Sequence, residues 1–80
     1  MAELGKSLGC AIRRRRWELG YSQEALSEDA DVHWTQISHI ENGQSSPTFR
    51  VLERLAGALQ IEVSALVKMA EKISKEEAMD

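Results

Sequence analysis

Apolar residues recur along this chain at the three- and four-residue spacing of an α-helix, in five segments separated by short breakers. In the first segment, Leu8, Ile12 and Leu19 share one stripe with Arg16, and the segment ends at Gly20, a residue type that often terminates helices. No segment shows the strict alternation of apolar and polar residues that a half-buried β-strand requires. The pattern therefore predicts an all-α protein with five helices.

Capping residues and breakers set the expected limits of the other four helices. Ser22 is a favourable N-cap for the second helix, which ends at Ala30, and the third helix spans residues 33–42. The fourth begins near Thr48, directly after the single proline of the chain. The fifth runs from about residue 62 to about residue 77 and forms an extended C-terminal helix.

The third segment, HWTQISHIENG from His33 to Gly43, contains neither lysine nor arginine. On a helical wheel, Ile37, Ile40 and Glu41 define the buried side of this helix. The opposite side carries side chains that form hydrogen bonds or offer apolar surface, namely Trp34, Thr35, Gln36, Ser38 and His39. A surface of this kind suits contact with base edges in the major groove of DNA, and a polar surface without a partner is the alternative.

Positive charge is concentrated near the start of the chain, although the net charge is -3. Residues 1–20 carry five positive and two negative side chains, residues 21–47 carry no positive and five negative ones, and residues 48–80 carry five and six. Four consecutive arginines, Arg13 to Arg16, form the densest positive run. Such a run usually marks a solvated helix face, and beside a helix that faces DNA it becomes the expected source of charge for phosphates.

Several classes of chemistry have no support in the sequence. His33 and His39 are about 240° apart on a helix and do not share a metal ion, and the single cysteine, Cys10, forms no internal disulfide. We find no glycine-rich phosphate loop, nucleophile elbow or pair of carboxylates in a cleft. No apolar run approaches the roughly 18 residues of a membrane span. We therefore expect a complete cytoplasmic chain that is not an enzyme, with no metal, cofactor, small-molecule substrate or membrane partner.

Three motifs occur at a characteristic spacing, namely Ser22-Gln23-Glu24-x-Leu26, then Ile37-x-x-Ile40-Glu41-Asn42-Gly43, then Pro47 followed by Leu52, Leu55, Ala56 and Leu59. Together they make residues 20–59 similar to the Xre or Cro-repressor type of helix-turn-helix DNA-binding family, and the similarity extends over residues 12–66. The resemblance implies one five-helix, lambda-repressor-like domain over residues 1–80. Its helix-turn-helix core is expected at residues 22–42, with the third helix as the recognition helix.

The resemblance also implies roles for individual residues. The base-reading positions are Trp34, Thr35, Gln36 and His39. The phosphate-contacting positions are Arg16, Ser22, Gln23, Asn42, Gln44 and Ser46. Arg16 is further implied to form a structural ion pair with Glu41. The residue pattern independently agrees, because both residues lie on the inward sides of their helices and a buried charge needs a partner.

Some residues depart from the family pattern. Ser27 stands where alanine is usual, and Asp31 stands where the turn normally has glycine. His33 replaces the usual Ser or Thr cap of the third helix, and Gln60 replaces the glycine after the fourth. These two helix ends are expected to be frayed or capped in another way. Trp34 occupies a base-reading position, yet an exposed tryptophan is also typical of protein–protein interfaces.

The function we expect is a sequence-specific DNA-binding transcriptional regulator that binds a palindromic operator as a homodimer, with recognition helices about 34 Å apart. The expected dimer interface is apolar and comprises Ile61, Val63, Leu66, Val67 and Ala70. In a second arrangement, compatible with the first, the fifth helix folds back on the first and covers Trp17. Two other functions remain open. One is an antitoxin or controller-type regulator of the same fold, and the other is a protein-interaction module that has lost DNA binding, which the acidic middle segment and Trp34 favour.

Overall fold

The structure is a computed structural model that describes residues 4–78, and within this range it consists of five α-helices and no β-strand. The helices are α1 (Leu4–Glu18), α2 (Gln23–Ala30), α3 (Trp34–Glu41), α4 (Phe49–Ala58) and α5 (Val63–Ala78). The predicted all-α fold with a long C-terminal helix is confirmed. Residues 1–3 and 79–80 of the predicted domain lie outside the described residues.

Side-chain caps begin three of the helices. Ser22 Oγ accepts a hydrogen bond from a backbone N–H of α2 at 3.0 Å, and Thr48 Oγ1 accepts one from α4 at 3.2 Å. At the start of α3, His33 Nδ1 accepts from the N–H of Thr35 at 3.2 Å. The imidazole therefore takes the role of the usual Ser or Thr cap, and this end of α3 is capped in another way rather than frayed.

The turn between α2 and α3 accommodates two of the residues that depart from the family pattern. Asp31 adopts the left-handed conformation, with φ 54° and ψ 47°, which aspartate tolerates better than most residues. The Ser27 hydroxyl donates a hydrogen bond to the carbonyl of Val32 at 2.6 Å. Serine in place of alanine thus ties the end of the turn back to α2.

The core forms around α1, which packs along α5 and against α3, while α2 packs against α3 and α4. Gly9 permits the close approach of α1 to the carboxyl end of α3, because a Cβ atom at this position would overlap the carbonyl oxygen of Ile40. The largest apolar side chains that are fully buried come from all five helices or their ends: Ile12, Leu26, Ile37, Ile40, Leu55, Leu59 and Leu66.

The packing of α5 corrects part of the predicted dimer interface. Leu66 and Ala70 have no exposed surface within the single chain, because they pack in the core. Assigning these two residues to the interface was wrong, since periodicity identifies an apolar face but not the element that covers it. The fifth helix does fold back on the first, but Trp17 stays 63% exposed and is not covered by it.

Candidate nucleic-acid interface

The outward face of α3 has the uncharged character that its sequence predicts. Trp34 is 52% exposed, and Gln36 and His39 are also exposed. Thr35 and Ser38 are half-buried on the same helix. Because Ile37, Ile40 and Glu41 are buried, the helix is anchored on one side and presents the base-reading candidates on the other.

The amino end of α3 adjoins the amino end of α2. Trp34 lines one surface depression together with Ser22, Gln23, Glu24 and Arg16. The ring of His33 stacks against that of Trp34, with centroids 6.2 Å apart and an interplanar angle of 24°. Because His33 also caps α3, the stack restrains the indole at the first turn of the helix.

A buried ion pair holds the carboxyl end of α3 against α1. Arg16 Nε donates to Glu41 Oε2 at 2.8 Å, and Arg16 Nη2 donates to Glu41 Oε1 at 2.9 Å. The side chain of Arg16 is 10% exposed and that of Glu41 is fully buried. Arg16 Nη1 also donates to the carbonyl of Tyr21 at 2.9 Å, so the same guanidinium binds the segment that leads into α2. The predicted partners therefore meet in a bidentate contact.

Glu41 receives further hydrogen bonds besides those of Arg16. Gln23 Nε2 donates to Glu41 Oε1 at 3.1 Å, and Arg13 Nε lies 3.4 Å from the same oxygen. Burial by itself raises the pKa of Glu41, but the hydrogen bonds from Arg16, Gln23 and Arg13 and the charge of Arg16 lower it below the ordinary value of 4.5. The carboxylate is therefore ionised at neutral pH and binds α1, α2 and α3 together.

These contacts correct the role expected of Arg16 at the DNA surface. Its three hydrogen bonds are made inside the protein and its side chain is almost fully buried. Arg16 is therefore a structural residue and not an exposed phosphate contact. Gln23 braces Glu41 and is half-buried, whereas Ser22 is exposed at the start of α2.

The arginine run of α1 is mostly used within the fold. Arg15 donates to the carbonyls of Leu59 at 2.9 Å and Gln60 at 3.1 Å. It thereby caps the carboxyl end of α4, where Gln60 takes the place of glycine with a φ of 55°. Arg14 is exposed and lies beside α5. The run is therefore not available to DNA as a whole, because Arg15 and Arg16 donate their hydrogen bonds to groups of the protein.

The loop after α3 carries the remaining phosphate-contacting candidates. Asn42, Gln44 and Ser46 are all exposed. The Oδ1 atom of Asn42 accepts a hydrogen bond from Arg13 Nη2 at 2.8 Å. Lys6 lies over this loop, since a Cβ atom on Gly43 would come within 2.6 Å of Lys6 Cγ. Sequence reasoning missed Lys6, because only the packing of α1 brings it to a loop far along the chain.

The remaining interface candidates lie where α4 meets α5. Ile61, Val63 and Val67 are half-buried in the single chain and pack at the edge of the core. An open groove at this junction is lined by Glu53, Ala56, Gly57, Gln60, Ile61, Glu62 and Val63. Three of the five predicted interface residues thus keep surface that a second chain is able to cover.

Within residues 4–78, no group of three or more His, Cys, Asp or Glu side chains is placed to hold a metal ion. Across the same range, none of the helices has the length and apolar character needed to cross a membrane.

Comparison with known proteins identifies the family. The profile of a family described as "Helix-turn-helix" matches residues 12–66. The immunity repressor protein of Bacillus phage phi105 is 35% identical over 72 residues, which cover 90% of this chain and 50% of the repressor. The chain belongs to the Xre-type helix-turn-helix family, and it spans only half the length of that repressor.

Solved structures agree with this assignment. The clp gene regulator ClgR from Corynebacterium glutamicum matches with a TM-score of 0.94 over 98% of this chain and 83% of that chain, and at 24% identity the match shows the fold. The controller protein C.Esp1396I, bound to a 25 base pair operator site, matches with a TM-score of 0.80 at 26% identity, covering 91% of this chain and 96% of that chain. The predicted resemblance is thus confirmed. The relatives and neighbours named here are regulators rather than enzymes.

Proposed function

We propose that this chain is a cytoplasmic, sequence-specific DNA-binding regulator of transcription that places α3 in the major groove. One observation carries the proposal: an exposed, uncharged face of α3 is held in place by a buried ion pair at its carboxyl end. Base readout requires side chains that form hydrogen bonds or apolar contacts, and it requires that these side chains be held in a fixed position. The helix α3 meets both conditions.

The candidate base-reading residues differ in the contacts they favour. Gln36 is suited to the paired donor and acceptor of adenine, and His39 to the acceptors of guanine. The indole of Trp34 and the methyl group of Thr35 are suited to the methyl group of thymine. These four residues are the ones we assign to operator recognition.

Phosphate contacts are assigned to the two helix amino ends and the loop that surround α3. The caps of α2 and α4 each satisfy one backbone N–H, which leaves the first N–H groups of both helices for anions. Ser22 and Gln23 at α2 and Asn42, Gln44 and Ser46 in the loop add side-chain donors. Because all of these donors are neutral, binding depends on geometry as well as on charge.

A homodimer on a palindromic operator follows from the size of the reading surface. Four side chains cover few base pairs, so specificity in a genome requires two copies whose recognition helices are about 34 Å apart. We assign the dimer contact to Ile61, Val63 and Val67 beside the open groove at the start of α5. The operator-bound structure of C.Esp1396I, a controller protein of the same fold, supports this mode of action and a controller-type role.

A protein-interaction module is the second candidate, and the exposure of Trp34 favours it. Titration of a labelled random-sequence duplex at low salt separates the two functions, because a DNA-binding protein has nonspecific affinity for phosphates under these conditions. We expect saturable binding, followed by enrichment of a palindromic sequence when a random library is selected on the protein. Absence of binding at low salt would overturn the DNA-binding proposal in favour of the interaction module.

A further inference from the structure

Two arginines of α1 share a single carboxylate at the end of α3. Arg16 donates two hydrogen bonds to Glu41, at 2.8 and 2.9 Å, and its positive charge balances the negative charge of the carboxylate. Arg13 lies farther from it, with Nε 3.4 Å from Glu41 Oε1. The cluster of Arg13, Arg16 and Glu41 therefore carries one unmatched positive charge. That charge belongs to Arg13, because Arg16 is the closer and more buried partner.

Arg13 is exposed enough to reach a ligand outside the protein. Its side chain is 33% exposed, whereas that of Arg16 is 10% exposed. The guanidinium also lies 6.0 Å from the ring centroid of Trp17 and donates through Nη2 to Asn42 Oδ1 at 2.8 Å. These contacts use Nε and Nη2, so the two N–H groups of Nη1 have no partner within residues 4–78. A guanidinium held in place with free donors is the arrangement that binds a phosphate.

Lys6 places a second cation beside the same loop. It precedes Arg13 by seven residues, about two helical turns, so both side chains emerge on the same side of α1. Its aliphatic stem covers Gly43, which has a φ of 75° and no room for a side chain, and the residue is exposed. Arg13 thus contacts Asn42 and the stem of Lys6 contacts the adjacent Gly43, so both residues lie beside one short loop. Since the oxygen of Asn42 faces Arg13, its NH₂ group remains for an external acceptor.

We propose that Arg13 and Lys6, together with the amide of Asn42, form a phosphate-binding site for the DNA backbone at the carboxyl end of α3. Arg13 replaces Arg16 as the arginine that contacts DNA. This inference rests on the proposed function. It identifies cationic side chains for the DNA-binding surface, whose recognition helix contains no lysine or arginine. Each subunit then contributes two cationic phosphate contacts from α1.

The salt dependence of DNA affinity tests the site. We compare unaltered protein with Arg13→Gln and Lys6→Gln on one labelled random-sequence duplex over a range of salt concentrations. Each variant should lower the slope of log affinity against log salt by about 0.9 per subunit, or about 1.8 for a dimer. Arg14→Gln is the matched control, because Arg14 is an exposed cation of the same helix that lies beside α5. Its slope should equal that of the unaltered protein.

A charge-preserving variant separates charge from folding. Arg13→Lys should retain most of the salt slope even where it loses the hydrogen bond to Asn42, and circular dichroism melts identify any variant that fails to fold. If folded Arg13→Gln and Lys6→Gln bind DNA with the slope of the unaltered protein, the phosphate site is refuted and the proposed function stands. If the unaltered protein does not bind DNA even at low salt, the proposed function fails, and the site fails with it.

Discussion

Replacing Arg16 by methionine removes the guanidinium that joins α1, the segment before α2 and the end of α3. Methionine fills much of the same volume but donates no hydrogen bond. The substitution therefore deletes two contacts to Glu41 and one to the carbonyl of Tyr21. Gln23, at 3.1 Å, and Arg13, at 3.4 Å, are the donors that remain for the buried carboxylate.

The expected cost is large because one partner of a buried ion pair is left behind. Losing one side of such a pair costs about 3 to 5 kcal/mol, and Glu41 has no exposed side-chain surface from which to regain water. In a domain of this size each kcal/mol corresponds to roughly 4 to 8 °C in melting temperature. We therefore expect Arg16→Met to melt at least about 12 °C below the unaltered protein.

Thermal melts and urea unfolding provide the measurements. Both are followed by far-ultraviolet circular dichroism rather than by tryptophan fluorescence, because Trp17 and Trp34 are exposed and their fluorescence reports little of the core. Arg14→Met is the control, because that side chain is exposed, and it should change the unfolding free energy by less than about 0.5 kcal/mol. The double variant Arg16→Met/Glu41→Leu should recover part of the loss, since it removes the stranded charge. Equal urea midpoints for Arg16→Met and Arg14→Met would refute the structural role of the pair.

Three further predictions concern the charge of Glu41, the contact between α1 and α3, and the exposed surface of α5. The pKa of Glu41 is lowered in the folded state, so the ionised carboxylate stabilises the fold at pH values above the ordinary pKa of 4.5, and this contribution is lost as pH falls through the folded pKa. The difference in unfolding free energy between the unaltered protein and Glu41→Gln should therefore decrease in an acid denaturation series. A difference that does not change with pH would contradict this. Gly9→Ala should destabilise the protein by about 1 to 3 kcal/mol, because the added Cβ overlaps α3. Gly57→Ala lies in open space within α4 and should stabilise it by about 0.5 to 1 kcal/mol. Melting temperatures that change in the same direction for both variants would contradict the close approach of α1 to α3. Val67 is only partly buried, so Val67→Lys should leave the chain folded and shift sedimentation toward the monomer. Leu66 is fully buried, so Leu66→Lys should unfold the chain. A Val67→Lys variant that stays dimeric would place the interface elsewhere.

Much of the fold could be predicted because its signals are local. Ser22 and Thr48 are caps within their own helices, and the apolar periods of α1 and α3 identify which faces are buried. The partnership of Arg16 and Glu41 was also accessible, because two opposite charges on inward faces need each other. In each case the deciding feature lies in one segment or in a single complementary pair.

The remaining features depend on how the helices pack. Arg13 and Arg15 bond to residues 28 and 44 or more positions away. Helical periodicity separates them from the outward-facing Arg14, but it does not identify the distant groups that they contact. Leu66 and Ala70 belong to an apolar stripe that a second chain or α1 is equally able to cover. Periodicity defines a face, but the identity of its partner is a property of the assembled core.

The claim that α3 reads DNA is best tested by one ratio, the affinity for a selected operator divided by the affinity for random duplex. This ratio is measured for the unaltered protein and for the variant Thr35→Ala/Gln36→Ala/His39→Gln. The three side chains are solvent-accessible, so the fold should survive their replacement. We predict a ratio of at least about 10³ for the unaltered protein, falling close to one in the variant, while affinity for random duplex is retained through the phosphate contacts. A ratio that is the same in both proteins would contradict the claim that α3 reads DNA.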